Sequence, residues 1–229
     1  MRQHMNIKSI TICFVIVLYG LIGCTPMDYY YKDLVELGDR IYVGKLNNIR
    51  AYVGYERLKL EWDHPSDPSI TKVVVYWNDR SDSVVYLMDK TEDVGAVLIE
   101  GLSEEQYVFN AITYDEKGNR SLPTEITARA YGEMFQQTLR NRVIESTSVS
   151  SGSVTINWYE EFSETMLHTE LRYTDINGNI QEISIPKDSE QTVINDIDMD
   201  IPISYRSVFI PEPLALDQFY TEFDQYEIP

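Results

Sequence analysis

Arg57-Leu58-Lys59-Leu60-Glu61-Trp62 alternates charged and apolar side chains with a period of two, which puts Leu58, Leu60 and Trp62 on one face of a half-buried strand. Working outward, further β-rich runs cover Ile70 to Trp77, Ser83 to Met88, Gly95 to Ile99, Tyr107 to Tyr114 and Glu125 to Tyr131. Between them stand Asp63-His64-Pro65-Ser66-Asp67-Pro68, Asn78-Asp79-Arg80-Ser81-Asp82 and Asp115-Glu116-Lys117-Gly118-Asn119. These are turn chemistries, because Gly, Pro, Asn and Asp supply the dihedrals and local side-chain bonds that reverse a chain. A first strand near Ile49 to Tyr52 completes seven short strands in about 90 residues, the count of an immunoglobulin-like sandwich.

The pattern then recurs. Val154-Thr155-Ile156-Asn157-Trp158 repeats the Leu58 to Trp62 strand at an offset of 96, and Tyr205 to Ile210 repeats Tyr107 to Ile112 at an offset of 98. Two markers at nearly one spacing predict a tandem repeat. Leu167 to Tyr173 fills the place of Val73 to Tyr76, and Asn177-Gly178 predicts a type I′ hairpin between Leu171 and Ile183. The expectation is therefore an all-β protein of two tandem immunoglobulin-like sandwiches, residues 41–131 and 143–229. A linker at 132–142 joins them, with room for a turn or so of helix offering Met134, Phe135 and Leu139 to the cleft between the domains.

Ahead of the repeats, Arg2 and Lys8 precede an apolar run from Ile10 to Ile22 that ends in Leu21-Ile22-Gly23-Cys24. A basic segment, a short apolar core and a small residue before cysteine predict a bacterial lipoprotein signal peptide, residues 1–23, with Cys24 as the lipidated N-terminus. The run is shorter than the ~20 residues that span a bilayer. Residues 24–40 then form a lipid-anchored tether in which Tyr29, Tyr30 and Tyr31 fasten the chain to the first domain. Lipid on Cys24 implies attachment to a membrane, the outer one in preference to the inner because Thr25 is not acidic; Asp28 is a thin version of a surface-export signal, and the side faced stays open.

The net charge of -18 becomes -20 once Arg2 and Lys8 are removed, which makes nucleic acid and an anionic membrane face poor partners and serves mainly solubility. Cys13 falls in the discarded run and Cys24 carries lipid, so the cores close by packing without a disulfide.

Gly101-Leu102 followed by Tyr107 on an Ala-bearing strand, with a Trp near the end of the second strand, resembles a fibronectin type III domain. More specifically, four stretches are similar to the Bacteroidetes lipoproteins grouped as DUF4998, a domain of unknown function: Asp28 to Asp33, Ile41 to Lys45, Tyr114 to Ser121, and Pro213 through Phe219-Tyr220-Thr221. The resemblance implies fibronectin type III-like sandwiches in a cell-surface or periplasmic protein, in a family whose members often accompany polysaccharide use. It lends no catalytic residues.

Candidate chemistry is sparse. His64 and His168 stand apart from each other and from any cysteine of the mature chain, which argues against a zinc site. Glu104-Glu105 and Glu160-Glu161 are carboxylate pairs in turns, where exposure leaves no proton-holding acid for sugar hydrolysis. Asp175-x-Asn177-x-Asn179 has oxygen ligands at alternate positions, but lacks the glycine placement and final Glu of a calcium loop and serves a hairpin equally well. Asp196, Asp198 and Asp200 make an acidic loop. No catalytic residue, metal or cofactor is therefore expected.

Aromatic residues surplus to the core are the positive signal. Trp77, Tyr86, Tyr52 and Tyr55 are hard to bury together, so Trp77 and Tyr86 with Asn78, Asp79 and Asp82 form the candidate ligand site; a flat ring beside Asp or Asn suits a pyranose. Phe135, Phe219 and Tyr220 are the candidate partner surface. Two functions follow: a non-catalytic module that binds a surface glycan or other ligand, or a structural spacer or docking subunit of an envelope complex.

Overall fold

The computed structural model describes residues 42–229 apart from Lys90, so the expected signal peptide at 1–23, Cys24 and the whole of the expected tether at 24–40 lie outside the described residues. In chain order the first sandwich comprises β1 (Asn47–Gly54), β2 (Arg57–Asp63), β3 (Ile70–Trp77), β4 (Asp82–Leu87), β5 (Val94–Glu100), β6 (Gln106–Asp115) and β7 (Thr124–Arg129). These pair as β1-β2-β5 facing β4-β3-β6-β7. The short helix α1 (Glu133–Thr138) follows. The second sandwich has β8 (Ile144–Ser150), β9 (Ser153–Trp158), β10 (Met166–Thr174), β11 (Ile180–Pro186), β12 (Gln191–Asn195), β13 (Ile203–Phe209), β14 (Phe219–Tyr220) and β15 (Asp224–Tyr226). Here β8-β9-β12 faces β11-β10-β13, with β14 and β15 both bound to β13. The last strand of the first sandwich is thus replaced by two short pieces.

Period-two alternation decides which side chains are inside. Leu58, Leu60 and Trp62 are fully buried with Val73, Val75, Phe109 and Ala111 in one core, and Val154, Ile156 and Trp158 lie with Leu171, Ile194 and Ile203 in the other. Tyr107 donates from its hydroxyl to the carbonyl of Ser103 at 3.2 Å beside buried Leu102, which is the corner expected of Gly101-Leu102 and Tyr107. The two equivalent tryptophans differ in one respect. Trp158 Nε1 donates to Thr192 Oγ1 at 2.9 Å, whereas Trp62 Nε1 has no partner among the described residues, being roofed by Gly95.

The hairpin at Asn177-Gly178 departs from expectation. Type I′ needs positive φ at both central residues, but only Gly178 has it (82°). Gly178 N donates to the Asp175 carbonyl at 2.9 Å and Asp175 N to the Asn179 carbonyl at 2.8 Å, a type I turn closed by a glycine bulge. The Asp175 carboxylate gathers Asn177 N and Asn179 N, both at 2.9 Å, and Gln181 Nε2 at 3.0 Å. Asp115 does the same at Asp115 to Asn119, taking Lys117 N and Asn119 N. Both carboxyls are held below the usual Asp value, Asp175 chiefly by the Asn179 backbone and Asp115 by the Asn119 side chain.

Candidate functional site

The segment between β13 and β14 leaves the second sandwich and docks on the first. Leu216 N donates to the Val53 carbonyl at 2.7 Å, adding to the edge of β1, and Ala215 packs against the first core. Asp217 accepts from Tyr55 N at 2.8 Å and from Arg57 Nε and Nη2 at 2.9 and 2.5 Å, and the Arg57 guanidinium holds its carboxyl below the usual range. Tyr131 donates to Glu212 Oε1 at 2.9 Å, and burial with that carboxylate pushes its phenol up to about 12.

The rings of Tyr131, Phe135 and Phe219 meet edge-on, Tyr131 to Phe135 at 4.9 Å and Phe135 to Phe219 at 5.1 Å. Glu104, with its side chain 6 % exposed, reaches from the turn before β6 to accept from Met134 N and Phe135 N at 2.8 Å, capping α1. Glu104 is therefore spent on a helix terminus.

This geometry corrects the candidate partner surface. Phe219 is 1 % exposed at the junction and Phe135 half-buried against it, because together they close the gap between the sandwiches. Tyr220 is half-buried outside, its ring 4.2 Å from the Arg206 guanidinium. Arg206 also lies 4.7 Å from Phe223, which lies 4.3 Å from Arg172, a stack that seats the interrupted last strand on its sheet.

The candidate ligand residues do not converge either. Trp77 and Tyr86 both point inward, but Trp77 pairs with Asp82 at one end of β3 and Tyr86 with Val73 four positions away, about 13 Å along the strand. Tyr86 meets Trp62 edge-on at 5.3 Å and His64 Nε2 at 3.3 Å. Trp77 leans on Phe109 and borders a shallow depression of about 430 Å³ with Asn78, Asp79, Arg80 and Tyr107. Asp82 is occupied by the Asn78 amide at 2.8 Å. Asn78, Asp79 and Arg80 all have positive φ, a left-handed turn that Asn and Asp tolerate better than Arg. His168 sits 3.8 Å from Glu170. Among the described residues, no group of three His, Cys, Asp or Glu is placed to hold a metal.

A larger groove, about 870 Å³, opens on the second sandwich between the segments that follow β9 and β11. Its floor is Arg142, buried and stacked 5.4 Å over Trp158, with Nε and Nη2 donating to the Tyr159 carbonyl and Nη1 to that of Pro186. Burial lowers the Arg142 pKa, opposed by Glu161 and Asp188. The walls carry Ser146, Asn157 and Gln191 among five carboxylates, Glu145, Glu160, Glu161, Asp188 and Glu190, with Lys187. Tyr159 and Phe162, on the segment leaving β9, are 53 % and 80 % exposed. The sequence signal was available in Tyr159-Glu160-Glu161-Phe162, aromatics directly after the strand-ending tryptophan.

Among solved structures the chain is similar to a two fibronectin type III domain segment from chicken tenascin, at 12 % identity over 79 % of this chain and 96 % of that one, with a TM-score of 0.31. It is also similar to the FN1–FN3 domains of chicken CNTN1, at 11 % identity over 80 % of this chain and 64 % of that one, with a TM-score of 0.42. No curated protein matches. Residues 24–219 match DUF4998, a domain of unknown function, and the chain belongs to that family.

Proposed function

We propose that the chain is a non-catalytic accessory protein of a bacterial cell envelope, anchored in the outer membrane by lipid on Cys24, whose second sandwich captures a glycan or another surface ligand. The groove over Arg142 carries this reading. Its volume of about 870 Å³ lies in the range of small-ligand sites, its walls offer amides, hydroxyls and carboxylates, and Tyr159 and Phe162, which flank the groove residues Glu160 and Glu161 in sequence, are exposed. Arg142 ties the two flanking segments together through the Tyr159 and Pro186 carbonyls, so the groove is formed before a ligand arrives.

A glycan-array screen of the full chain in nonionic detergent tests it. The expected result is a hit weakened about tenfold or more by Tyr159→Ala with Phe162→Ala, a loss of ~1.4 kcal/mol or more. A hit that instead disappears in Trp77→Ala moves the site to the Trp77 depression. No binding across the array favours a second reading, a structural spacer or docking subunit, which the Asp217 and Phe219 clasp supports by fixing one sandwich on the other. The anchor is tested separately by detergent phase partitioning, in which Cys24→Ala shifts the protein to the aqueous phase; equal partitioning contradicts the anchor.

A further inference from the structure

The outer face of β8-β9-β12 is unlike the rest of this acidic protein. Strand register places nine side chains there in three rows: Ser146, Asn157 and Gln191; Ser148, Thr155 and Val193; Ser150, Ser153 and Asn195. All nine are exposed or half-exposed and none is charged, the exposed Glu145 at the β8 bulge being the one charged residue of the three strands, in a chain whose residues are 24 % charged. The fold does not impose this. The matching face of the first sandwich, β1-β2-β5, carries Arg50, Glu61, Asp63, Arg57, Lys59 and Glu100, laced by ion pairs such as Arg50 to Asp63 at 3.0 Å and Lys59 to Glu61 at 2.8 Å. Equivalent sheets in one chain thus have opposite surface chemistry.

We propose that this face binds a neutral polysaccharide chain, laid across the strands as far as the row of Ser146, Asn157 and Gln191 that borders the groove. The proposal deepens the glycan reading above and rests on it. Hydroxyl and amide groups both donate and accept, as sugar hydroxyls do, whereas a carboxylate only accepts and an ammonium only donates. A neutral sugar can therefore be met in several orientations without stranding a charge, and taking uncharged polar groups out of water costs less than taking ions out.

The first row is already oriented. Gln191 Nε2 donates to Asn157 Oδ1 and Asn157 Nδ2 to Ser146 Oγ, both at 2.9 Å, leaving the Ser146 hydroxyl proton and the Gln191 carbonyl oxygen to face a ligand. The rows repeat about every 6.8 Å along the strands and about 4.8 Å across them, a regular grid for a polymer. Val193, 53 % exposed in the second row, gives the apolar spot on which a ring's C–H face can rest.

Titration calorimetry of the full chain in nonionic detergent tests this, with a soluble mannan, a xylan and a mixed-linkage β-glucan as neutral probes and polygalacturonate as the anionic one. The expected result is binding of a neutral probe, unchanged between low and high salt, with polygalacturonate silent. Thr155→Glu and Ser148→Lys, exposed substitutions whose folding is checked by circular dichroism, each weaken it about tenfold or more. Binding that survives both variants but is lost with Tyr159→Ala and Phe162→Ala overturns this face and leaves the groove reading standing. Failure of every neutral probe overturns this face, while the groove reading falls only if the glycan array is also blank. A wild type that self-associates, and is made monomeric by the face variants, overturns the proposal in favour of contact between copies.

Discussion

Replacing Asp217 with alanine cuts the clasp at its most polar point. The carboxylate accepts three N–H groups, from Tyr55 and from Arg57 twice, and its side chain is 22 % exposed against 36 % for Arg57. Hydrogen bonds to an ionised group contribute about 1.5–3 kcal/mol each when buried, and water can reach the Arg57 fork here, so the expected cost is ~2–3 kcal/mol for the set. Urea unfolding of the full chain, followed by tryptophan fluorescence, reads it directly. The pH dependence gives a second readout. Because the folded carboxyl is held below its ordinary value, its contribution is complete above about pH 3.9 and is lost as pH falls through the lowered folded value. The gap between wild type and Asp217→Ala therefore closes in acid. A cost under ~0.5 kcal/mol at neutral pH, or a gap that does not narrow in acid, refutes the reasoning.

Gly95→Ala puts a methyl 2.5 Å from Trp62 Nε1 in a core with no slack, and thermal melting is expected to show a loss of ~1–3 kcal/mol. Glu104→Ala uncaps α1 and costs ~1 kcal/mol in urea, without changing the second core. Trp62→Phe costs less than Trp158→Phe in the same assay, since the first removes an unpaired buried donor and the second breaks a bond to Thr192.

Strands with strict alternation were legible from sequence alone. Ile70–Trp77 has the expected bounds, and Leu58 to Trp62 and Val154 to Trp158 lie within their observed strands. Less legible was anything made by distant segments. Asp217 reads as one acid among many until Arg57, 160 positions earlier, is beside it, and Glu104 becomes a helix cap only through a helix 30 positions on. Phe219 looked like an exposed aromatic because nothing local reveals that its segment crosses to the other sandwich. Trp77 on β3 and Tyr86 on β4 share a face of the sheet; their separation along that face depends on hairpin register, which places Tyr86 opposite Val73. The β8-β9-β12 face needed only the alternation in Ser146-Thr147-Ser148-Val149-Ser150, but its lack of charge carries meaning only beside the ion-paired face of the first repeat.

Ligand capture by the second sandwich is tested most directly by hydrogen–deuterium exchange of the full chain with and without the neutral polysaccharide that binds it. The predicted result is slowed exchange confined to residues 144–162 and 187–195. Protection at 77–80 and 105–110 instead, or no protection anywhere, contradicts it.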